Sequence, residues 1–209
     1  MWNWDEGKTA KWLTPAVEMA YLAERWQSLG FRDVLDNGCG PGRHGIYFAG
    51  KGFDVTGLDQ SREALRHFES WAREKSLRVQ AVEGDIFQLP FPEGAFDGII
   101  DYNVSYHTDT AGFFRAVGEL RRVLRPGGEL YITLLSQSDP GFQNASDSEH
   151  VDEFTLVHAG GTPHFYGKRE ELEEIFAGFT MALPPREIRT AGLDNPKEST
   201  HFHLLLKKR

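Results

Sequence analysis

Only one cysteine, Cys39, occurs in the 209 residues. No disulfide can close within the chain, and the simplest compartment for it is a reducing cytoplasm. Long apolar runs are also missing: none approaches the ~20 residues that a membrane span needs. Basic charge is scarce, with 23 Lys and Arg against 31 Asp and Glu and a net charge of −8. That balance argues against a general affinity for polyphosphate backbones. The terminal Lys207-Lys208-Arg209 is too short to reverse it. The opening "MWNWDEGKTAKW" has no apolar core after a basic start, so no secretory signal is expected. Neither nucleic acid nor membrane is an expected partner, and the residues carry no signal of oligomeric state.

What is present suits one α/β domain with a substantial core: 40% hydrophobic and 12% aromatic residues. Thr14-Pro15 reads as a helix cap and first turn, and Val17, Tyr21 and Leu22 give an apolar stripe over a helix 14–29. "DVLDNG", "FDVTGLD", "RVQAVEGD", "FDGIIDYN" and "GGELYITLLS" read as strands. Between them fall helices at Arg43–Gly50, at "SREALRHFESWAREK" with Leu65, Phe68 and Trp71 or Ala72 inward, and at 111–125 with Phe113, Val117, Leu120 and Leu124 on one face. Strands alternating with helices imply right-handed crossovers and a mostly parallel sheet covered on both faces. In the last third, 137–166 is polar and turn-rich and "KREELEEIFAGF" reads as a helix presenting Leu172, Ile175 and Phe176. "REIRTAG" and "THFHLLLKK" read as an antiparallel hairpin around "LDNPKES". The sequence shows no internal repeat.

The stretch "LDNGCGPGRHG", Leu35 to Gly45, raises the question of the chemistry. Gly40-Pro41-Gly42-Arg43-His44-Gly45 fits the G-x-G-x-x-G turn of dinucleotide sites, and Asp59, 19 residues after Gly40, could accept hydrogen bonds from ribose hydroxyls. Asp36-Asn37-Gly38-Cys39-Gly40 fits a methyl-donor loop equally well. Backbone physics is common to both, because glycines let the main chain approach a ligand closely. On these residues alone both readings stand.

Four strings in order separate them: "VLDNGCGPGRH", "VTGLDQS", "GDIFQLPFPEGAFDGII" and "LRRVLRPGGELYI". From Asp33 to Ser136 the chain resembles the class I S-adenosylmethionine-dependent methyltransferases, in their small-molecule, type 11-like branch. A nicotinamide enzyme has no need of the third and fourth strings. The resemblance implies a three-layer Rossmann-like α/β sandwich whose seven-stranded, mostly parallel sheet runs 3-2-1-4-5-7-6 with strand 7 antiparallel. It implies one domain over 1–209, with 1–30 as an N-terminal helical or lid segment and 137–166 as an insertion near the substrate mouth. S-adenosyl-L-methionine is the implied cofactor. Carried over by motif, Asp36, Gly38, Cys39 and Gly40 hold its methionine part, Asp59 and Gln60 the ribose, Asp85 and Ile86 the adenine. Asn103 meets the methionine group through its backbone. Asn37 departs from the pattern, which usually has an apolar residue there.

The acceptor is expected to be a small molecule. His107, His164 and Tyr166 fall where the fold places its substrate mouth and are the candidates for catalysis, against a plain structural role. Tyr102 and Tyr106 are expected to wall the same pocket, and Trp2, Trp4 and Trp12 read as a lid or a hydrophobic plug. His201 and His203 share a strand face, but no third ligand stands at a diagnostic spacing, so no metal is expected. Two rivals remain. A nucleic-acid amino-methyltransferase resembles (Asp/Asn/Ser)-Pro-Pro-(Tyr/Phe) after its fourth strand, where this chain reads "DYNVSY"; a protein acceptor is a further alternative. A non-catalytic S-adenosylmethionine-binding protein would carry the same loop.

Overall fold

Consecutive strand residues point to opposite faces, and here they enter two different cores. Val34, Ile100 and Leu205 pack with helices α1 (Glu18–Ser28), α2 (Arg43–Gly50) and α3 (Arg62–Glu74). Their neighbours Leu35, Ile99 and Leu204 pack with α4 (Thr110–Val123) on the other side. The computed structural model, which describes residues 13–146, 149–157, 161–190 and 198–209, is thus a three-layer sandwich.

The sheet is built on β1 (Asp33–Asn37), flanked in parallel by β2 (Asp54–Asp59) and β4 (Phe96–Asp101). Beyond them lie β3 (Val79–Glu83), parallel to β2, and β5 (Leu124–Ser136), parallel to β4. Four further strands intervene before the last: β6 (Thr155–Val157), β7 (Pro163–Gly167), β8 (Phe179–Met181) and β9 (Arg186–Thr190). The last, β10 (Ser199–Lys208), runs antiparallel to β5. The order β3-β2-β1-β4-β5-β10 matches the expected one. Its outermost place is divided between two short strands, because β8 pairs with Leu206–Lys208 and β9 with Ser199–His203.

Several local expectations need correction. The first helix starts at Glu18, and Thr14-Pro15 does not cap it; the N-cap is Val17, with no side-chain bond. Its buried stripe is Met19, Leu22, Ala23 and Trp26, while Val17 and Tyr21 are exposed. The helix is rotated by its anchor, since the Trp26 indole N–H donates to buried Glu129 at 2.9 Å. Leu124 is buried as expected but belongs to β5. "KREELEEIFAGF" shrinks to a 3₁₀ turn at Arg169–Glu171 and one α-turn at Leu172–Ile175. Gly178 at φ +96° redirects the chain into β8, and Leu172, Ile175 and Phe176 are still buried. The 137–166 stretch contains a short helix α5 (Pro140–Gln143) and the β6–β7 hairpin, which joins the sheet where β7 meets β5 at Leu135–Tyr166 and Ser136–Gly167. Trp2, Trp4 and Trp12 lie outside the described residues.

Candidate functional site

The carboxyl ends of β1, β2, β3 and β4 open into one cavity of about 1160 Å³. Ligands in open parallel sheets bind at this edge. Asp36, Gly38, Cys39 and Gly40 line it from the loop after β1, and Asp59 with Gln60 from the end of β2. Asp85, Ile86 and Asn103 complete one side, while His107, His164 and Tyr166 stand in the wall of the same cavity. All twelve residues singled out from the sequence meet there.

The loop after β1 is a cradle. At Gly38, φ is +61° and a Cβ would lie 2.5 Å from Val104 Cγ1; at Gly42, φ is +92° and a Cβ would lie 2.0 Å from Phe68 Cδ2. Both glycines are therefore required by packing as well as by conformation. The Asp59 carboxylate ties this loop to the next helix: Oδ2 accepts from Gly40 N at 2.9 Å and Oδ1 from Ser61 N at 2.8 Å. Ser61 itself caps α3 by accepting from Ala64 N. Asp85 turns the chain after β3 by accepting from Phe87 N. The Cys39 thiol packs into the core, where burial pushes its pKa well up, so Cys39 offers the cavity backbone rather than a nucleophile.

Buried charge holds the floor. Asp36 accepts from Gly45 N at 2.8 Å, and burial pushes its carboxyl up to about 7. Asp101, fully buried at the end of β4, accepts from Asn37 Nδ2 at 2.7 Å and from the Ser105 hydroxyl at 2.6 Å. Asn37, the departure from the family pattern, is thus the cross-strand partner of a buried carboxylate. Asn103 sits at φ +58°; its N–H donates to Thr133 Oγ1, and that hydroxyl donates back to Asn103 Oδ1.

The opposite wall is aromatic and imidazole-rich. On β7, Phe165 points inward and stacks on Phe113 at 4.0 Å, which turns its neighbours His164 and Tyr166 to the cavity. His107 Nδ1 and His164 Nε2 lie 2.8 Å apart, and Tyr106 bonds His201 Nε2 at 3.2 Å. Sequence reading assigned no cavity role to Arg43, His44, Asp139 or His201, all of which line it. Asp139 precedes a proline, a turn signal, and accepts from Gly141 N and Thr200 N. His201 and His203 do share a face, but each serves a tyrosine: Tyr131 bonds His203 at 2.7 Å. Among the described residues no group of three His, Cys, Asp or Glu is arranged to hold a metal ion.

Burial pushes His107 and His201 down to about 4 and His44 to about 3. Below their ordinary 6.5 the unfolded chain therefore binds protons that the folded one refuses, so stability falls as pH drops from 6.5 through 4. Each group contributes up to about 1.4 kcal/mol per pH unit. Asp36 and Asp101, raised by burial, act with the opposite sign, losing stability as pH rises from 3.8. His203 is lowered and Asp33 raised by burial as well, and four imidazoles against three carboxylates make a net loss on acidification the expected result. Thermal unfolding at pH 7, 6 and 5 checks it; a midpoint that climbs on acidification would refute the assignment.

Comparison with known proteins agrees with this geometry. A methyltransferase-domain family model matches residues 34–128. The chain is 33% identical over 190 residues to the malonyl-[acyl-carrier protein] O-methyltransferase of Enterobacter lignolyticus, covering 87% of this chain and 70% of that protein. The chain belongs to the class I S-adenosylmethionine-dependent methyltransferase family. The Pectobacterium atrosepticum protein of the same name is 32% identical over 158 residues, covering 72% of this chain and 60% of that one. This methyltransferase thus spans 60% and 70% of the two relatives' lengths. A solved S-adenosylmethionine-dependent methyltransferase from Methanosarcina mazei shares the fold at TM-score 0.70 and 22% identity, over 84% of this chain and 92% of its own.

The family's cofactor is S-adenosylmethionine, and the donor set fits it. A left-handed glycine cradle, the Asp59 carboxylate and the Ile86 side chain, which packs at the rim of the core, offer hydrogen bonds and an apolar surface of the kinds this group needs. No described helix is long and apolar enough to cross a membrane.

Proposed function

We propose that residues 1–209 form a single methyltransferase domain that transfers a methyl group from S-adenosylmethionine to a small molecule. The observation that carries this is the shared cavity, with the glycine cradle and carboxylates on one side and a tyrosine- and histidine-rich wall on the other. The cradle residues Asp36, Gly38, Cys39 and Gly40 hold the methionine end and Asp59 with Gln60 the ribose. Asp85 with Ile86 hold the base, and the Asn103 backbone meets the methionine group. The bound cofactor supplies an electrophilic methyl sulfonium, so the protein's task is to align a nucleophile and exclude water.

The wall formed by Tyr102, Tyr106, His107, His164 and Tyr166 takes the acceptor, with the 137–166 segment contributing the last two. A concave cavity of metabolite size and a net charge of −8 favour a metabolite over a nucleic acid. The O-methyltransferase names of the two relatives support oxygen as the accepting atom. Calorimetric titration tests the donor half: S-adenosylhomocysteine should bind and NAD should not. Stabilisation by NAD alone would overturn the reading. Release of S-adenosylhomocysteine on incubation with fractionated metabolites tests the acceptor half and separates an enzyme from a binding protein.

A further inference from the structure

A second cleft, of about 220 Å³, lies against α1 on the face of the sheet where Tyr131, His203 and Leu205 stand. Its floor is apolar, with Leu22 of α1 and Leu205 of β10 buried in it. Its rim is Val17 and Leu183, both exposed, with Leu183 in the connection between β8 and β9.

Two opposite charges stand in this cleft. Glu18 enters from the first turn of α1 and Arg186 from the start of β9. They do not pair with each other. Among the described residues Arg186 has no ion pair, and Glu18 has only His203, whose Nδ1 lies 3.7 Å from its Oε1. That distance is beyond hydrogen-bond reach, and Nδ1 is already bonded to the Tyr131 hydroxyl at 2.7 Å. The Glu18 side chain is 15% exposed and that of His203 10%. A carboxylate covered to this extent is ordinarily hydrogen-bonded, yet Glu18 has no donor among the described residues. His203 Nε2 likewise has no described partner. Both charges reach the same imidazole: burial lowers the His203 pKa, Glu18 raises it and Arg186 lowers it again. A carboxylate and a guanidinium therefore face one apolar cleft with a gap between them.

We infer that this cleft binds an α-amino acid with an apolar side chain of about leucine size. The ammonium of the ligand meets Glu18, its carboxylate meets Arg186, and its side chain lies on Leu22 and Leu205. Size and charge select this class together. At ~30 Å³ for each water, 220 Å³ is the room of roughly seven waters, short of the ~300 Å³ at which pockets for larger ligands begin. The two charges of an α-amino acid are joined through one carbon, so they can bridge a carboxylate and a guanidinium that do not meet directly. An amine alone would leave Arg186 without a partner. A fatty acid would leave Glu18 unbonded and bring a like charge beside it. Glycine would leave the apolar floor uncovered.

The cleft is separate from the large cavity but borders it. Tyr102, in the wall of the large cavity, packs on Tyr131 at 6.4 Å and on His203 at 6.1 Å. Tyr131 and His203 line the cleft, so one aromatic layer divides the two spaces.

An NMR titration of the full chain at pH 7, saturated with S-adenosylhomocysteine, tests the site through the ring resonances of His203. L-Leucine should shift them saturably. Isopentylamine, which lacks the carboxylate, and 4-methylpentanoate, which lacks the ammonium, should each bind more weakly by roughly ten-fold or more. L-Leucine should lose affinity to a similar extent in Glu18→Gln and in Arg186→Gln, because each variant removes one charge-assisted bond. Arg186 is exposed, so Arg186→Gln keeps the test decisive if Glu18→Gln does not fold. No saturable shift, single-charge analogues that bind as tightly as leucine, or undiminished affinity in a folded variant overturns the proposal. It is also overturned if leucine binds only while S-adenosylhomocysteine is absent, which would put the amino acid at the methionine end of the donor site.

Discussion

Replacing Asp59 with Ala is expected to weaken binding of S-adenosylhomocysteine by roughly 100-fold. The side chain stands at the end of β2 in the cavity wall. A hydrogen bond to a charged group contributes about 1.5–3 kcal/mol, and two ribose hydroxyls on one carboxylate amount to at least ~3 kcal/mol, about two powers of ten. The structure adds a second cause. Both oxygens already accept backbone N–H groups, from Gly40 and from Ser61, so the same carboxylate shapes the loop that meets the methionine end. Asp59→Asn keeps the side-chain size and one acceptor, loses one of the two backbone bonds because its amide nitrogen cannot accept, and should fall between wild type and Ala. Calorimetry on folded variants decides. Affinity unchanged in Asp59→Ala would mean that the ribose is held elsewhere.

The largest effect on stability is expected from Arg25→Ala. Glu129 is 1% exposed and accepts three bonds from Arg25, the shortest at 2.6 Å, and one from Trp26. Removing the guanidinium strands a buried carboxylate, and such losses run to about 3–5 kcal/mol. Because the Arg25 side chain is itself 27% exposed, the lower figure applies. For a chain of this size that is a fall in Tm of roughly 6–12 °C. Arg25→Ala with Glu129→Gln should recover part of it. A denaturation series of the single and double variants checks both points. Equal midpoints for Arg25→Ala and wild type would show that the ion pair adds nothing.

The parallel half of the sheet was legible because its signals are local. Each of β1, β2, β4 and β5 is a short apolar run closed by glycine, acid or polar residues, and each helix between them repeats its apolar residues at helical spacing. That the candidate residues on that half share one cavity was legible for the same reason, as they sit at or directly after strand ends. What the sequence withheld depends on distant partners. The rotation of α1 is set by Glu129, about a hundred residues away, so Val17 and Tyr21 read as inward when they face out. The polarity of Asn37 makes sense only beside Asp101 across the β1–β4 pair. Strands of three to five residues, such as β6, β7 and β8, are too short to show a period, and the acidic run at 169–174 reads as a longer helix than its glycine exit allows. His201 was visible as one of a pair on a strand face, but its place beside Tyr106 was not.

The attachment of β7 separates inheritance from specialisation. The side of the cavity proposed for the donor hangs from β1, β2 and β4, in the interior of the sheet, and from the edge strand β3. His164 and Tyr166 instead ride on a hairpin joined to β5 through two residue pairs, with Leu156, Phe165 and Tyr166 packed in the core. Substituting His164 is expected to alter what the wall presents while Leu156, Phe165 and Tyr166 keep the hairpin seated. A lineage carrying this architecture can change its clientele one side chain at a time, without renegotiating the fold or the methyl donor.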